Sequence, residues 1–227
     1  NFTPEYAKSI GDKLRENGIR VPILGCYINP SDANEESLNE SLDYFIENLH
    51  YAKYIGAEMV GLETCRFSDD DEINNSEETY QYLLKNMKKL VSAAEEIGVN
   101  VGIEGVHFHV INTPIKMKRL VDDLNSPNVR VIFDPVNYIY TANYKNQDEI
   151  INTHFDLLGE KTKLLHLKDF KLVDGEVAYE FPCDGLLNKD LLWDKLKQYN
   201  PDIAVILEEV KEDHLAQVKA AVEKRFV

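Results

Sequence analysis

Two rhythms alternate along this chain. Short apolar runs, such as Val131-Ile132-Phe133, Leu164-Leu165 and Val205-Ile206-Leu207, are separated by longer stretches whose apolar residues recur three or four positions apart. The first pattern predicts strands buried on both faces, and the second predicts amphipathic helices. A first helix is predicted from about Pro4 to Asn17, with Tyr6, Ile10 and Leu14 on one face and Gly18 ending it. Val21 to Ile28 reads as a buried strand, followed by a helix from about Glu36 to Ile55 and a strand from Glu58 to Glu63. Asp69 to Ser76 is acidic and polar and reads as a loop. The next helix buries Tyr80, Leu83, Leu84, Met87, Leu90, Val91 and Ala94.

The second half keeps the same order. Strands are predicted at Val99–Glu104, Val129–Asp134, Lys163–Asp169 and Ala204–Val210. Helices are predicted after Thr113-Pro114, at Asp148–Leu158 with Gly159 as its stop, at Asn188–Tyr199 and at Asp213–Arg225. Lys171 to Glu180, with Asp174-Gly175 at its middle, reads as a small hairpin. No linker or low-complexity tract interrupts the series, so residues 1–227 read as one domain.

The fold class is α/β. Six predicted strands alternate with helices, whereas a closed (β/α)8 TIM barrel uses eight. The chain starts inside a helix and ends with the helix after its last strand. The expectation is therefore a TIM barrel lacking its first two strands, incomplete at the N-terminus. The competing open, doubly wound sheet usually carries a glycine-rich phosphate loop, and neither G-x-G-x-x-G nor a P-loop occurs here.

Composition narrows the partners. A net charge of −15 argues against a nucleic-acid backbone as ligand. No apolar run approaches the roughly 18 residues of a membrane span. Three widely spaced cysteines, Cys26, Cys65 and Cys183, suggest reduced thiols and a cytoplasmic setting rather than a disulfide framework.

Candidate chemistry gathers at the strand ends. Glu104, Asp134, His166 and Glu208 each follow an apolar run, roughly 30 to 40 residues apart, about one strand-helix-strand unit. Parallel strands carry their C-terminal ends to one face. Three carboxylates and an imidazole converging there would call for a cation, which reads as a divalent metal site. A single strand-end Glu is more often simply solvated, but four metal-type residues at four successive strand ends favour the site. Glu104 and Glu208 are the candidate acid/base pair, with Glu209 the alternative to Glu208. Asp134 could instead only initiate a turn. Lys168 shares strand parity with His166, so its burial demands a nearby carboxylate or an anionic substrate. Asn137, His107 and Arg66 are candidate substrate contacts, and His109 is left open.

Four segments resemble the xylose isomerase-like barrels of the sugar phosphate isomerase/epimerase superfamily. They are Glu104 with His107 and Asn112-Thr113-Pro114; Ser126-Pro127-Asn128-Val129 leading to Asp134-Pro135-Val136-Asn137; His166-Leu167-Lys168-Asp169; and Ile206-Leu207-Glu208. The resemblance spans about Ile10 to the C-terminus, in the family's order. Cys183-Asp184-Gly185 stands where the family often has Gly-Glu-Gly. The resemblance implies a divalent metal, Mn2+, Mg2+, Co2+ or Zn2+, held by Glu104, Asp134, His166 and Glu208. It implies an isomerase or epimerase that acts on a sugar or sugar phosphate through a cis-enediolate. The alternatives are a dehydratase of an inositol-derived ketone and a sugar-binding barrel without turnover. Self-association is common in the family and sets a homo-oligomer as a further expectation.

Overall fold

The computed structural model describes residues 2–226. Residues 1 and 227, the ends of the predicted domain, lie outside the described residues. The chain divides into two compact units, Asn1–Asn112 with Lys116–Val131, and Thr113–Ile115 with Ile132–Val227.

In the first unit, β1 (Leu24–Gly25), β2 (Met59–Glu63) and β3 (Asn100–Glu104) pair in parallel. Helices α1 (Pro4–Glu16), α2 (Glu35–Ile55), α3 (Asp71–Asn74) and α4 (Glu77–Ile97) alternate with them, and α5 (Pro114–Leu124) belongs to this unit from Lys116 onward. The longest two are capped as their sequences require. Asn34 and Ser76 accept backbone N–H groups at the starts of α2 and α4. Gly56 and Gly98 end them at φ of 83° and 80°, a conformation costly for any side chain. Phe45, Leu49, Leu62, Leu83, Met87, Leu90 and Ile103 are almost fully buried.

Three expectations need correction here. The Val21–Ile28 run forms only the two-residue β1 and one bridge from Val21 to Ala57. Proline at position 22 has no N–H to give a ladder. The inward stripe of α1 is Ala7 and Gly11, not Tyr6, which is exposed. A Cβ on Gly11 would stand 2.4 Å from the Ile55 carbonyl oxygen, so α2 approaches at a distance only glycine tolerates. The acidic loop at 69–76 contains α3, because the Asp70 carboxylate accepts the N–H groups of Glu72 and Ile73.

Strand β4 (Val129–Phe133) begins in the first unit and ends in the second. The second unit continues through 3₁₀ turns at Val136–Tyr138 and Tyr144–Asn146, then α6 (Gln147–Leu158) and β5 (Thr162–Leu167). The predicted hairpin follows as β6 (Asp169–Val173) and β7 (Glu176–Glu180). Asp174 and Gly175 turn it with φ of 52° and 86°, as a two-residue hairpin loop requires. The unit closes with α7 (Lys189–Tyr199), β8 (Ala204–Leu207), a 3₁₀ turn at Glu212–His214 and α8 (Leu215–Phe226). Its core is built on Phe133, Tyr138, Phe155, Leu165, Phe170, Leu192 and Trp193. Gly159 ends α6 without a left-handed turn. A Cβ there would meet the Tyr199 ring at 2.4 Å, so close packing and not backbone freedom selects glycine.

The six main strands follow the order β1-β2-β3-β4-β5-β8, in an α/β sheet of the TIM-barrel type with strands lacking. Among the described residues no helix is long and apolar enough to cross a membrane.

Candidate functional site

Register explains why polar side chains meet at the end of β5 and β8. Leu167 pairs with Leu207, and the Glu208 N–H continues the ladder to the Leu167 carbonyl at 2.9 Å. Lys168 and Glu208 thus leave their strands at the same level, and residues at one level of a parallel pair face the same side. His166, two residues earlier, shares that side. The side chains do meet: His166 Nδ1 stands 3.1 Å from Glu208 Oε1, and Lys168 Nζ stands 3.3 Å from Glu208 Oε2. Glu208, not Glu209, makes these contacts. Glu209 is exposed and held at φ 56°, a left-handed conformation unusual for a glutamate.

Asp134 joins from the end of β4 and does two jobs at once. Its Oδ1 accepts the N–H groups of Val136 and Asn137, at 2.8 and 3.2 Å, and so starts the 3₁₀ turn. Its Oδ2 receives the Lys168 ammonium at 2.7 Å. The same ammonium donates to Asn137 Oδ1 at 2.7 Å and lies 4.8 Å from the centre of the Tyr179 ring on β7. Asp134, Asn137, His166 and Lys168 are all buried, and Glu208 is half-buried. Burial alone would lower the Lys168 pKa. The charges of Asp134 and then Glu208 outweigh it and hold the lysine above its ordinary range.

In the first unit, Glu63 and Glu104 stand in register at the ends of β2 and β3. Glu104 is buried and Glu63 half-buried. Beyond β2 the chain bends through Cys65 at φ 56°. The Cys65 N–H donates to His109 Nδ1 at 3.1 Å, which places the imidazole proton on Nε2, 3.8 Å from Glu63 Oε2. Burial, with the nearby His107 and Arg66, pushes the His109 pKa down to about 4, so the ring is neutral at pH 7. His107 is half-buried, edge-on to Phe108. Arg66 hydrogen-bonds the Asp69 carbonyl at 3.3 Å and the Asp71 carboxylate at 3.4 Å.

Sequence reasoning passed over two residues. Glu63 ends Met59-Val60-Gly61-Leu62 with the same apolar-run signal that marked the other strand ends. Asp169 is fully buried and anchors the loop after the hairpin. It accepts the N–H groups of Phe170, Gly185 and Leu187 and the Lys189 ammonium, all at 2.8–2.9 Å. Only the fold-back of residues 185–189 reveals that role.

Among the described residues, no group of three or more His, Cys, Asp and Glu side chains stands ready to hold a metal ion. The second unit does bring two carboxylates, Asp134 and Glu208, to one positive charge, the Lys168 ammonium, and the His166 imidazole lies against Glu208. Imidazole and carboxylate donors suit divalent zinc, manganese or magnesium. The donor chemistry of Asp134, His166 and Glu208 therefore fits such an ion.

The strand order and the alternating helices define an α/β fold of the TIM-barrel class. The family model for the xylose isomerase-like TIM barrel matches residues 1–225, and the chain belongs to that family. No curated protein matches by sequence. Several solved structures share the fold. One is the IOLI protein with a binding zinc atom, at 18% identity and a TM-score of 0.77, covering 98% of this chain and 84% of its own. A D-tagatose 3-epimerase-like protein has 17% identity and a TM-score of 0.80, covering 98% and 83%. The 3-keto-D-glucoside 4-epimerase YcjR from E. coli has 15% identity and a TM-score of 0.73, covering 98% and 84%.

Proposed function

We propose that residues 1–227 form one domain of a divalent-metal-dependent sugar or sugar-phosphate isomerase or epimerase. Asp134, His166, Glu208 and Glu104 are the proposed ligands, and Glu104 and Glu208 the proposed acid/base pair. Membership of the xylose isomerase-like family supports the reading, as do the epimerases among proteins of the same fold. The observation that carries it is the meeting of side chains from the ends of β4, β5 and β8: the Lys168 ammonium bridges Asp134 and Glu208, and His166 Nδ1 stands 3.1 Å from Glu208 Oε1.

When bound, a divalent ion would polarise adjacent carbonyl and hydroxyl oxygens of an open-chain ketose and so favour the negative charge of a cis-enediolate. One glutamate takes the proton from the carbon next to the carbonyl. The other returns a proton, to the opposite face of that carbon in an epimerase or to the neighbouring carbon in an isomerase. Asn137 is the proposed contact for a substrate hydroxyl, and Lys168, His107 and Arg66 are further proposed substrate contacts, Arg66 for an anionic group. A cytoplasmic setting is proposed from the odd number and wide spacing of the three cysteines. A homo-oligomer is proposed from the family habit alone.

The test is proton NMR of a ketose and ketose-phosphate panel in D2O, with Mn2+ or Mg2+ and then with EDTA. Metal-dependent deuterium uptake beside the carbonyl is the expected result, with a loss of at least about a hundredfold in Glu208→Gln at unchanged circular dichroism. Uptake that EDTA leaves untouched, or full activity in Glu208→Gln, would overturn the assignment. Loss of water from an inositol-derived ketone would point to the dehydratase.

A further inference from the structure

Lys168 is bound more completely than a substrate-contacting lysine needs to be. An ammonium has three N–H donors. All three have acceptors here: Asp134 Oδ2 at 2.7 Å, Asn137 Oδ1 at 2.7 Å and Glu208 Oε2 at 3.3 Å. The Tyr179 ring, 4.8 Å away, faces the same ammonium, an attraction that adds to the carboxylate contacts. Only 5% of the residue is exposed. Two of its three acceptors are carboxylates proposed above as metal ligands.

The charges explain the arrangement. Two carboxylates drawn together in a buried place repel unless a cation stands between them. The ammonium supplies one positive charge against their two negative ones. Asp134 is also tied by backbone N–H groups, so it keeps an anchor when the lysine contact is broken. A divalent ion drawn to the same oxygens would meet the ammonium as a like charge, and at a few ångströms that repulsion is large wherever water is scarce.

We propose that Lys168 is a built-in counter-cation of this site. It holds Asp134 and Glu208 in place in the metal-free protein and competes with a divalent ion for them. The proposal rests on the ligand assignment of the proposed function. It extends that reading by giving Lys168 a role in metal affinity and in the stability of the metal-free state.

The experiment is calorimetric titration of Mn2+ and Zn2+ into the metal-stripped protein, with thermal melting of the same samples. It compares wild type with Lys168→Met, Lys168→Gln and Lys168→Arg. The neutral variants are expected to bind metal at least about tenfold more tightly. They should also melt lower when metal-free and recover on loading. Lys168→Arg keeps the charge and should stay near wild type. Gln retains a hydrogen-bonding head, so it serves if Met fails to fold. Wild type that binds metal, with neutral variants binding no more tightly, would overturn the role of Lys168 and leave the metal site standing. Binding gained only in the neutral variants would support it. No binding by any form would remove both the metal reading and this inference.

Discussion

At the scale of single residues, buried histidines set how the protein responds to acid. Burial pushes His109 down to about 4 and His154 down to about 3. The unfolded chain, with ordinary imidazoles near 6.5, binds more protons than the folded one between pH 6.5 and 4. Stability is therefore full above about pH 6.5 and lost as the pH falls through that window, by up to about 1.4 kcal/mol per pH unit for each histidine. His109→Asn offers a test, since an Asn side-chain oxygen can take the place of Nδ1 as acceptor for the Cys65 N–H and does not titrate. Its urea midpoint should fall less steeply with acid than that of wild type. Identical slopes would show that His109 does not drive the loss. His154, packed face to face on Phe133 at 3.6 Å and bonded to Thr162 at 2.9 Å, should go on contributing in that variant.

At the scale of elements, the hairpin and the loop behind it hang on Asp169. A Cβ on Gly185 would lie 2.3 Å from Asp169 Oδ1 and equally close to the Phe170 carbonyl oxygen. The loop therefore passes where only glycine fits, against a carboxylate that holds its N–H groups. Asp169→Asn removes the charge facing Lys189 and one acceptor oxygen. It should cost about 2 to 3 kcal/mol, short of a fully buried pair because Lys189 keeps some access to water. Gly185→Ala should cost a similar amount. Because the two positions touch, the double variant should lose less than the sum, and chemical denaturation would show it. Strict additivity would mean that the loop is held elsewhere. This anchor was not legible in the sequence, because Asp169 and Gly185 meet only after the hairpin folds back. The strand ends were legible. An apolar run that stops at Glu104, Asp134, His166 or Glu208 marks a buried strand leaving its sheet, and strand parity alone put Lys168 beside His166. Local pattern failed where pairing partners decide the outcome. The Val21–Ile28 run looks like a full strand but finds only a two-residue ladder, and the importance of Glu63 appears only through its register with Glu104.

At the scale of the whole molecule, a bound ion should appear as stability, because a ligand that binds only the folded state shifts the folding equilibrium. At a free metal concentration about a hundred times the dissociation constant, the gain is about 2.7 kcal/mol. For a chain of this length that corresponds to a rise in melting temperature of roughly 5 to 10 °C. The rise should come with Mn2+ or Zn2+, vanish with EDTA and be nearly absent in Asp134→Asn, whose Oδ1 can still start the 3₁₀ turn. The net charge of −15 complicates the reading, since divalent cations also gather loosely around an acidic surface. Calcium at equal concentration and equal ionic strength separates the two effects, because its preference for six to eight oxygen ligands suits an imidazole-containing set poorly. A rise specific to manganese or zinc and lost in Asp134→Asn identifies the strand-end residues as its source. An equal rise with calcium that survives the substitution assigns it to the acidic surface and removes the metal from the proposed chemistry.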